Sequence, residues 1–370
     1  TMAEIVSVDQ FPDWYPGWKP EHIDDPWLRM KSGPFTKEDE SRFWFVDFHW
    51  PRGFSPLGFQ FVTGAAWSTQ LAAHQLPLPP AGGLVQRMGG PFLYEGEVPV
   101  ASQWEIGYRA ARIEKNMPRF LGNFDAIWDE RKWELELGLS YFESYDFAGK
   151  SLAEIGQYIT DARTFNTRAW EIHFEIMYPL LAIYLQLYGL CAGNGIDPGN
   201  IAKMLQGRDS KIMETDRAMW DLADEAKRLG IAELFDHEPD QIRSALSSAG
   251  GNASIWLTKF DDFLKVHGWR TEGIADINIP YWIEDQSSPL GQLRNFIQME
   301  ERHDFDKSLV DSHRERDEAI DEARSMLNGG ELAAFNELLG ICTVANFAWW
   351  NEDHNYYIVL RSSIPMRRGA

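Results

Sequence analysis

The sequence predicts a mainly α protein, a helical bundle with a small N-terminal β element. From about residue 101 onward, apolar residues recur at three- and four-residue spacing, which is the spacing of one face of a helix. Before that point, short aromatic-rich runs are interrupted by proline and glycine, as in strands joined by turns. The chain has 370 residues, of which 44% are hydrophobic, so it can bury a substantial core.

The segment before the helices divides into an arm and a β element. Residues 1–40 are rich in Pro, Trp and Asp, and we expect an extended arm because each proline removes a backbone donor. The run PFLYEGEVPV predicts a hairpin that turns at Glu95–Glu97. We therefore expect one helical substrate-binding domain over residues 41–370, with a small β subdomain at about 41–100.

Local signals mark several helix ends in the remaining sequence. Ser151 followed by Glu154 is the pattern of a capping box, and the helix that starts there is expected to continue beyond His173. Opposite charges alternate along residues 303–326, which predicts a solvated helix. Residues 331–360 are predicted to form one last long helix that begins apolar and becomes rich in Trp and Tyr.

The composition argues against nucleic acid and membrane surfaces as partners. With 35 basic and 56 acidic residues, the formal net charge is −21, which repels phosphate backbones and anionic lipids. Two cysteines in apolar helical runs favour a reducing compartment, and no apolar N-terminal signal run is found, so we expect a cytoplasmic protein. Neither a phosphate-binding glycine motif nor a zinc-binding spacing is present, and no metal site is expected.

Near the C-terminus, the run WWNEDHNYY concentrates polar groups among aromatic residues. On a helix, spacings of three and four place four of its side chains on one face: Trp350, Asp353, His354 and Tyr357. A histidine beside carboxylates gains basicity and can take a proton from a substrate hydroxyl. The alternative is a helix end whose carboxylates face water. We predict that His354 and Asp353 are catalytic, and that Trp349, Trp350 and Tyr357 bind substrate.

The run VHGWRTEGIAD is a second concentration of polar and aromatic side chains. His267 and Arg270 follow the end of a predicted helix, and Arg270 is suited to clamping an anion such as a phosphoryl group. The alternative is a structural ion pair with Glu272 or Asp276. We predict that His267 and Arg270 are catalytic, and that Trp269 and Glu272 bind substrate.

Three further residues complete the predicted substrate-binding set. His49 and Arg52 flank a proline in a predicted turn, and loops often carry function, although a loop histidine is commonly just solvated. His173 lies in the apolar helical run WEIHFEIMY, where it is either a hydrogen-bonded core histidine or a side chain that points into a pocket.

Several runs, in the same order along the chain, resemble segments of the phosphoenolpyruvate-synthase-like phosphotransferases. The longest is FLKVHGWRTEGIADINIPYWIEDQ, and the others are FHWPRGFSPLG, GGPFLYEGEVPV and MLQGRDSKIMETDRAMWDLA, spread over about residues 40–360. The sequence departs from the family pattern in two places. Trp269 stands between Gly268 and Arg270, and Tyr281 stands between Pro280 and Trp282. Both departures are compatible with a more aromatic acceptor site.

This family includes rifampicin phosphotransferases and the phenylphosphate-synthase-type dikinases that phosphorylate phenols. The resemblance implies a division of work. An ATP-grasp part takes phosphate from ATP, a mobile domain carries it on a histidine, and a helical part binds the acceptor. Because the chain resembles only the helical part, we expect it to bind no cofactor by itself and to be unable to use ATP alone.

The expected partners follow from the same resemblance. They are a phosphohistidine-carrier and an ATP-grasp domain or subunit, with ATP and Mg²⁺ used by the complete system, and an aromatic (phenolic) or other hydrophobic alcohol as acceptor. Two other functions stay open. One is a stand-alone lyase, hydratase or dehydratase in which His354 and a carboxylate act as acid and base. The other is a binding or regulatory protein without catalysis.

Overall fold

The computed structural model describes residues 37, 42–47, 58, 65, 68–69, 81–89, 92–271 and 279–370. Within this part of the chain helices predominate and a small sheet lies at the N-terminal side, which confirms the mainly α fold. The predicted arm over residues 1–40 falls outside the described residues, apart from residue 37.

The helices are, in chain order, α1 Gln103–Gly122, α2 Phe124–Glu143, α3 Leu152–Gly193, α4 Pro198–Lys203, α5 Lys211–Arg228, α6 Pro239–Ala249, α7 Asn252–His267, α8 Ser287–Gln298, α9 Phe305–Met326, α10 Gly329–Val344, α11 Phe347–Tyr357 and α12 Ile364–Gly369, with a 3₁₀ turn at Ala232–Asp236. The chain divides into two compact units. The first comprises Thr1–Tyr184, Gly273–Asn278 and Tyr357–Ala370, and the second comprises Leu185–Glu272 and Ile279–Tyr356.

An antiparallel sheet in the first unit is formed by three strands of the described residues: β1 Trp44–Val46, β2 Ala81–Gly89 and β3 Phe92–Pro99. The order is β1-β3-β2, so β3 is central and pairs with both neighbours. The hairpin is therefore formed by β2 and β3, which are consecutive strands of the described residues and pair antiparallel.

The predicted hairpin turn at Glu95–Glu97 is wrong, because β3 runs straight through these residues. Gly96 pairs with Trp44 on one side and Val85 on the other. A Cβ atom at position 96 would lie 2.9 Å from the ring of Trp44. The glycine thus permits close packing of an aromatic ring against the central strand, a role that looks like a turn signal in the sequence.

The predicted capping box at the start of α3 is present in the first unit. The Ser151 hydroxyl accepts a hydrogen bond from the Glu154 backbone N–H at 3.3 Å, and the Glu154 carboxylate accepts one from the Ser151 N–H at 2.9 Å. At the C-terminal end of α2, Arg368 of α12 donates to the carbonyl oxygens of Glu143 at 2.9 Å and Tyr145 at 3.2 Å. A guanidinium group thereby binds carbonyls that the helix end leaves without partners.

The core of the second unit is centred on aromatic side chains of α7. Trp256 stacks on Phe260 at 5.2 Å, meets the edge of Phe235 at 5.1 Å, and donates its indole N–H to the Leu222 carbonyl at 2.8 Å. This core holds α5, α6, α7 and α8 together through buried Leu, Ile and Ala side chains. The C-terminal end of α7 and the N-terminal half of α5 are therefore fixed relative to each other.

The prediction of one last long helix over residues 331–360 is wrong, because α10 ends at Val344 and α11 begins at Phe347. Asn346 lies between them and is fully buried. Its side-chain oxygen accepts from the Trp349 N–H at 3.0 Å, and its amide donates to the Leu205 carbonyl at 2.8 Å. Asn346 therefore caps α11 while a distant backbone group stabilises the break.

Two apolar helical segments, Leu152–Gly193 and Gly329–Tyr357, have the length and mean hydropathy (1.5 and 1.3) of a membrane span. The protein buries 39% and 28% of their most apolar windows. Core helices of globular proteins share this length and composition, so these values alone assign neither segment to a membrane.

Candidate functional site

Two of the predicted polar stretches meet in the second unit, around the N-terminal turns of α5. The hydroxyl of Tyr356, on α11, donates to the Val266 carbonyl near the end of α7 at 3.0 Å. Lys211, the first residue of α5, forms a 2.8 Å ion pair with Glu214 and also interacts electrostatically with Asp353. The structure therefore brings the stretch that contains His267 next to the stretch that contains Asp353.

His267, the last residue of α7, is a half-buried imidazole held on two sides. Its ring stacks on Phe263 at 4.9 Å, one helical turn earlier, and its Nδ1 lies 3.0 Å from the Thr215 hydroxyl oxygen. Burial, followed by the nearby charge of Arg270, lowers the pKa of His267 to about 4. The imidazole is therefore neutral at pH 7.

The hydrogen bonds of Thr215 favour one tautomer of His267. The Thr215 hydroxyl has a single proton, and it lies within hydrogen-bond distance of two groups, the Lys211 carbonyl at 3.0 Å and His267 Nδ1. A carbonyl oxygen can only accept, so the Thr215 hydroxyl donates its proton in a hydrogen bond to the Lys211 carbonyl. The hydroxyl oxygen then accepts a hydrogen bond from the Nδ1–H of His267. In that arrangement Nε2 carries the lone pair, and it makes no hydrogen bond with a described residue.

The residues directly after α7 pair through their backbone with residues 281–283, and this pairing sets the position of Arg270. Gly268 accepts a hydrogen bond from the Ile283 N–H at 2.9 Å, and Arg270 accepts one from the Trp282 N–H at 2.8 Å through its carbonyl. A Cβ atom at Gly268 would lie 2.4 Å from the Leu264 carbonyl oxygen, so only glycine fits this turn. The guanidinium of Arg270 packs over the Trp282 ring at 5.5 Å, as a cation–π pair.

Asp216, next to Thr215 on α5, adds a carboxyl group that interacts with Arg270. Burial raises the pKa of Asp216, while the charges of Arg270 and His303 act in the opposite direction. A half-buried carboxyl group that interacts with a nearby cation is common at functional sites and also in structural ion pairs.

His354 occupies a different environment on α11. The ring stacks on Trp350 at 3.9 Å with an interplanar angle of 5°, and the two side chains are 0% exposed. Its Nδ1 lies 2.8 Å from the Trp350 carbonyl oxygen, so Nδ1 carries a proton and donates. Asp353 is also buried, at 8% exposure. Trp350, His354 and Asp353 are thus part of the protein interior.

Trp349 points to the loop that precedes α5. Its indole N–H donates to the Asp209 carbonyl at 2.6 Å, and Arg208 packs over its ring at 5.1 Å. Within the same loop, Gly207 has φ +87° and its carbonyl accepts from His313 Nε2 at 2.7 Å. The loop is therefore anchored by α9 and α11 and positions the start of α5.

Two predicted residues belong to the first unit. His173 is half-buried on α3 and meets the rings of Trp170 at 5.3 Å and Phe174 at 4.6 Å edge-on. Tyr357 is buried and contacts Trp128 at 6.2 Å in a T-shaped arrangement. Trp269 is half-buried in the second unit, next to Arg270. The predicted residues His49, Arg52 and Glu272 lie outside the described residues, as does Asp276.

Sequence reasoning missed Thr215, Phe263 and Asp216. Phe263 lies four residues before His267, so helical spacing was a usable signal for that pair. Thr215 and Asp216 lie some fifty residues away on another helix, and only the resemblance of the α5 run to a family segment pointed there. In the part of the chain that is described, no three His, Cys, Asp or Glu side chains are grouped to hold a metal ion.

Residues 172–352 match the family described as "Rifampicin phosphotransferase fourth domain". The match includes His267, Arg270 and Thr215 and ends just before Asp353 and His354. The resemblance inferred from the sequence is thus confirmed for the helical part of the chain, which is similar to the phosphoenolpyruvate-synthase-like phosphotransferases.

Two relatives place this domain in longer proteins. The chain is 26% identical over 287 residues to chondramide synthase cmdD of Chondromyces crocatus, covering 74% of this chain and 7% of that protein. It is also 26% identical over 202 residues to the uncharacterized phosphotransferase YvkC of Bacillus subtilis (strain 168), covering 53% of this chain and 24% of that protein. The chain thus spans less than a quarter of either relative. No solved structure matches it.

Proposed function

We propose that this chain is the acceptor-binding part of a multidomain phosphotransferase and presents the hydroxyl of a phenolic or other hydrophobic alcohol to a phosphohistidine. The observation that carries the proposal is the neutral imidazole of His267, which stacks on Phe263 and is hydrogen-bonded to Thr215. It lies beside Arg270, within the segment that matches the family. The complete system, with ATP and Mg²⁺, is then divided between this chain and its partner domains, in the cytoplasm.

His267 is suited to orienting the acceptor hydroxyl. Its Nε2 lone pair accepts a hydrogen bond from the hydroxyl, while Thr215 and Phe263 hold the ring in place. A pKa of about 4 makes the resting imidazole a weak base. The negative charge of an arriving phosphoryl group raises that pKa, which strengthens the base when transfer begins.

Arg270 is suited to stabilising the transferred group. In the proposed step the hydroxyl oxygen attacks phosphorus and the P–N bond of the phosphohistidine breaks, with its electron pair going to nitrogen. The hydroxyl proton passes to Nε2 of His267. Such transfer depends mainly on positioning and charge stabilisation, and a guanidinium held on the Trp282 ring supplies both.

The aromatic character of the acceptor is proposed from the rings around these two groups. Trp282 and Phe263 flank Arg270 and His267, and the half-buried Trp269 lies next to Arg270. Aromatic walls favour a planar apolar substrate, which stacks on them.

The proposal is tested by supplying the full chain with a ³²P-labelled phosphohistidine-bearing donor domain and phenol, and by following phenyl phosphate. We expect His267→Gln and Arg270→Gln each to lower the transfer rate by about 10²-fold or more, as expected for loss of a base or a charge clamp. His237→Gln, at an exposed histidine of the same unit, is the matched control and should retain the wild-type rate.

Two outcomes would contradict the proposal. Transfer at the wild-type rate by both variants would remove His267 and Arg270 from the site. Consumption of ATP by the isolated chain, with no donor domain, would contradict the proposed division of work.

A further inference from the structure

A cavity in the first unit lies among α1, α2 and α3 and has a volume of about 490 Å³. This size falls within the range of roughly 300–1,000 Å³ that small-molecule sites occupy. None of its lining residues belongs to the site proposed above. Its lining combines the apolar side chains of Phe120, Ile127 and Ile176 with several charged ones.

Three arginines line the cavity, and two of them have no acidic partner among the described residues. Arg131 lies 3.4 Å from Glu175 and 3.7 Å from Glu130, the two carboxylates that also line the cavity. Among the described residues, no carboxylate lies within ion-pair distance of Arg112 or Arg119. Arg112 packs over the ring of Tyr108 at 5.7 Å.

The two arginines converge because of their helical spacing. Arg112 and Arg119 are seven residues apart on α1, so they lie on the same face, two turns from each other. Asn116, between them on that face, also lines the cavity. Along this face of α1, two arginines thus flank one asparagine.

Such an arrangement is unexpected in a chain with a net charge of −21. Acidic residues outnumber basic ones, so an arginine readily finds a carboxylate partner, as Arg109 does with Glu105 at 2.8 Å on the same helix. Two arginines that line a cavity and lack a carboxylate partner in the described part of the chain offer ten N–H donors in planar forks that match an oxyanion.

We propose that this cavity binds a small organic anion, with its oxyanion head group between Arg112 and Arg119 and its apolar body on Phe120, Ile127 and Ile176. A phosphate monoester and a carboxylate share this head-group chemistry. Glu130 and Glu175 do not oppose the ligand strongly, since both are within ion-pair distance of Arg131.

The test is isothermal titration of the full chain with phenyl phosphate, benzoate, phenol and inorganic phosphate. We expect phenyl phosphate or benzoate to bind, and phenol and inorganic phosphate to bind at least about tenfold more weakly, because each lacks one half of the ligand. The tighter of the two anions identifies the head group.

Variants assign the binding to this cavity. Arg112→Gln and Arg119→Gln should each weaken binding by about tenfold, the effect of losing one charge-assisted contact. Lys115→Gln, an exposed residue of α1 outside the cavity, should bind as the wild type does. Circular dichroism and thermal unfolding report whether each variant is folded.

Phenyl phosphate is also the product of the proposed phosphoryl transfer, so Arg270→Gln is titrated in parallel. Binding retained in Arg270→Gln and lost in the double variant Arg112→Gln/Arg119→Gln supports the second site, whatever the fate of the proposed function. Binding that is unchanged in that double variant, or absent with both anions, overturns it.

Discussion

Two histidines of the second unit each stack on an aromatic ring, yet their surroundings differ. His354 lies flat on Trp350, with neither side chain exposed, and its Nδ1 donates to a backbone carbonyl of its own helix. His267 stacks on Phe263 at the end of α7, is half-buried, and contacts a side-chain hydroxyl from another helix.

The difference shows that a histidine among aromatic residues marks two structural situations. At His354 the rings complete the interior, and the local hydrogen bond satisfies a buried polar group. At His267 the ring is held from two helices while Nε2 makes no hydrogen bond with a described residue. Only the second arrangement presents a lone pair to a ligand without rearrangement of the core.

Trp350→Ala tests the role of the buried Trp350–His354 stack, and of the predicted changes it should have the largest effect on stability. Because Trp350 is 0% exposed and carries the His354 ring, its truncation should lower the free energy of unfolding by about 3–5 kcal/mol. Chemical denaturation measures the change. The matched control is Trp133→Ala, a tryptophan 63% exposed on α2, for which we expect a change within about 0.5 kcal/mol. Equal effects of the two substitutions would contradict the burial of Trp350.

The pH dependence of stability tests whether the folded chain lowers the pKa of His267. Its pKa is lowered from 6.5 to about 4 in the folded chain, so the unfolded chain binds the proton first as pH falls. The folded state should therefore lose stability between about pH 6.5 and pH 4, by at most about 3 kcal/mol, and less where solvent reaches the ring. Unfolding measured across this range should show a shallower slope for His267→Gln, which cannot titrate.

His237→Gln, at an exposed position, is the matched control for the general effect of exchanging a histidine for glutamine. A His267→Gln variant with the wild-type slope would show that the folded chain does not hold His267 neutral.

The parts of the fold that were predictable are those set by neighbouring residues. The capping box of Ser151 and Glu154 needs only a three-residue spacing, and it is present. The break between α10 and α11 was not predictable in this way. Asn346 is held there by the Leu205 carbonyl, which lies 141 residues earlier. The turn predicted around Gly96 was wrong for the same reason, because this glycine makes room for the ring of Trp44, which is distant in the sequence.

The candidate site divides along the same line. His267 and Arg270 could be chosen from the sequence because a polar pair at a helix end, with a family pattern, suffices to single them out. Thr215 could not, because a threonine inside an amphipathic helix is ordinarily a packing residue, and its contact with His267 spans 52 residues. The orientation of the imidazole depends on that tertiary contact and has no local signal.

Thr215→Val should have the smallest of these effects, yet it addresses the comparison directly. Removing the hydroxyl leaves His267 Nδ1 without its acceptor, which should cost about 1 kcal/mol because the ring is only half-buried. The imidazole is then free to place its proton on Nε2, and ¹⁵N NMR of the ring should show that tautomer increase. Thr215→Ser keeps the hydroxyl and should restore the wild-type spectrum. The His354 signals should be the same in all three proteins, because its proton is held by a carbonyl of its own helix. If the valine variant left the His267 spectrum unchanged, Thr215 would not be what orients the ring.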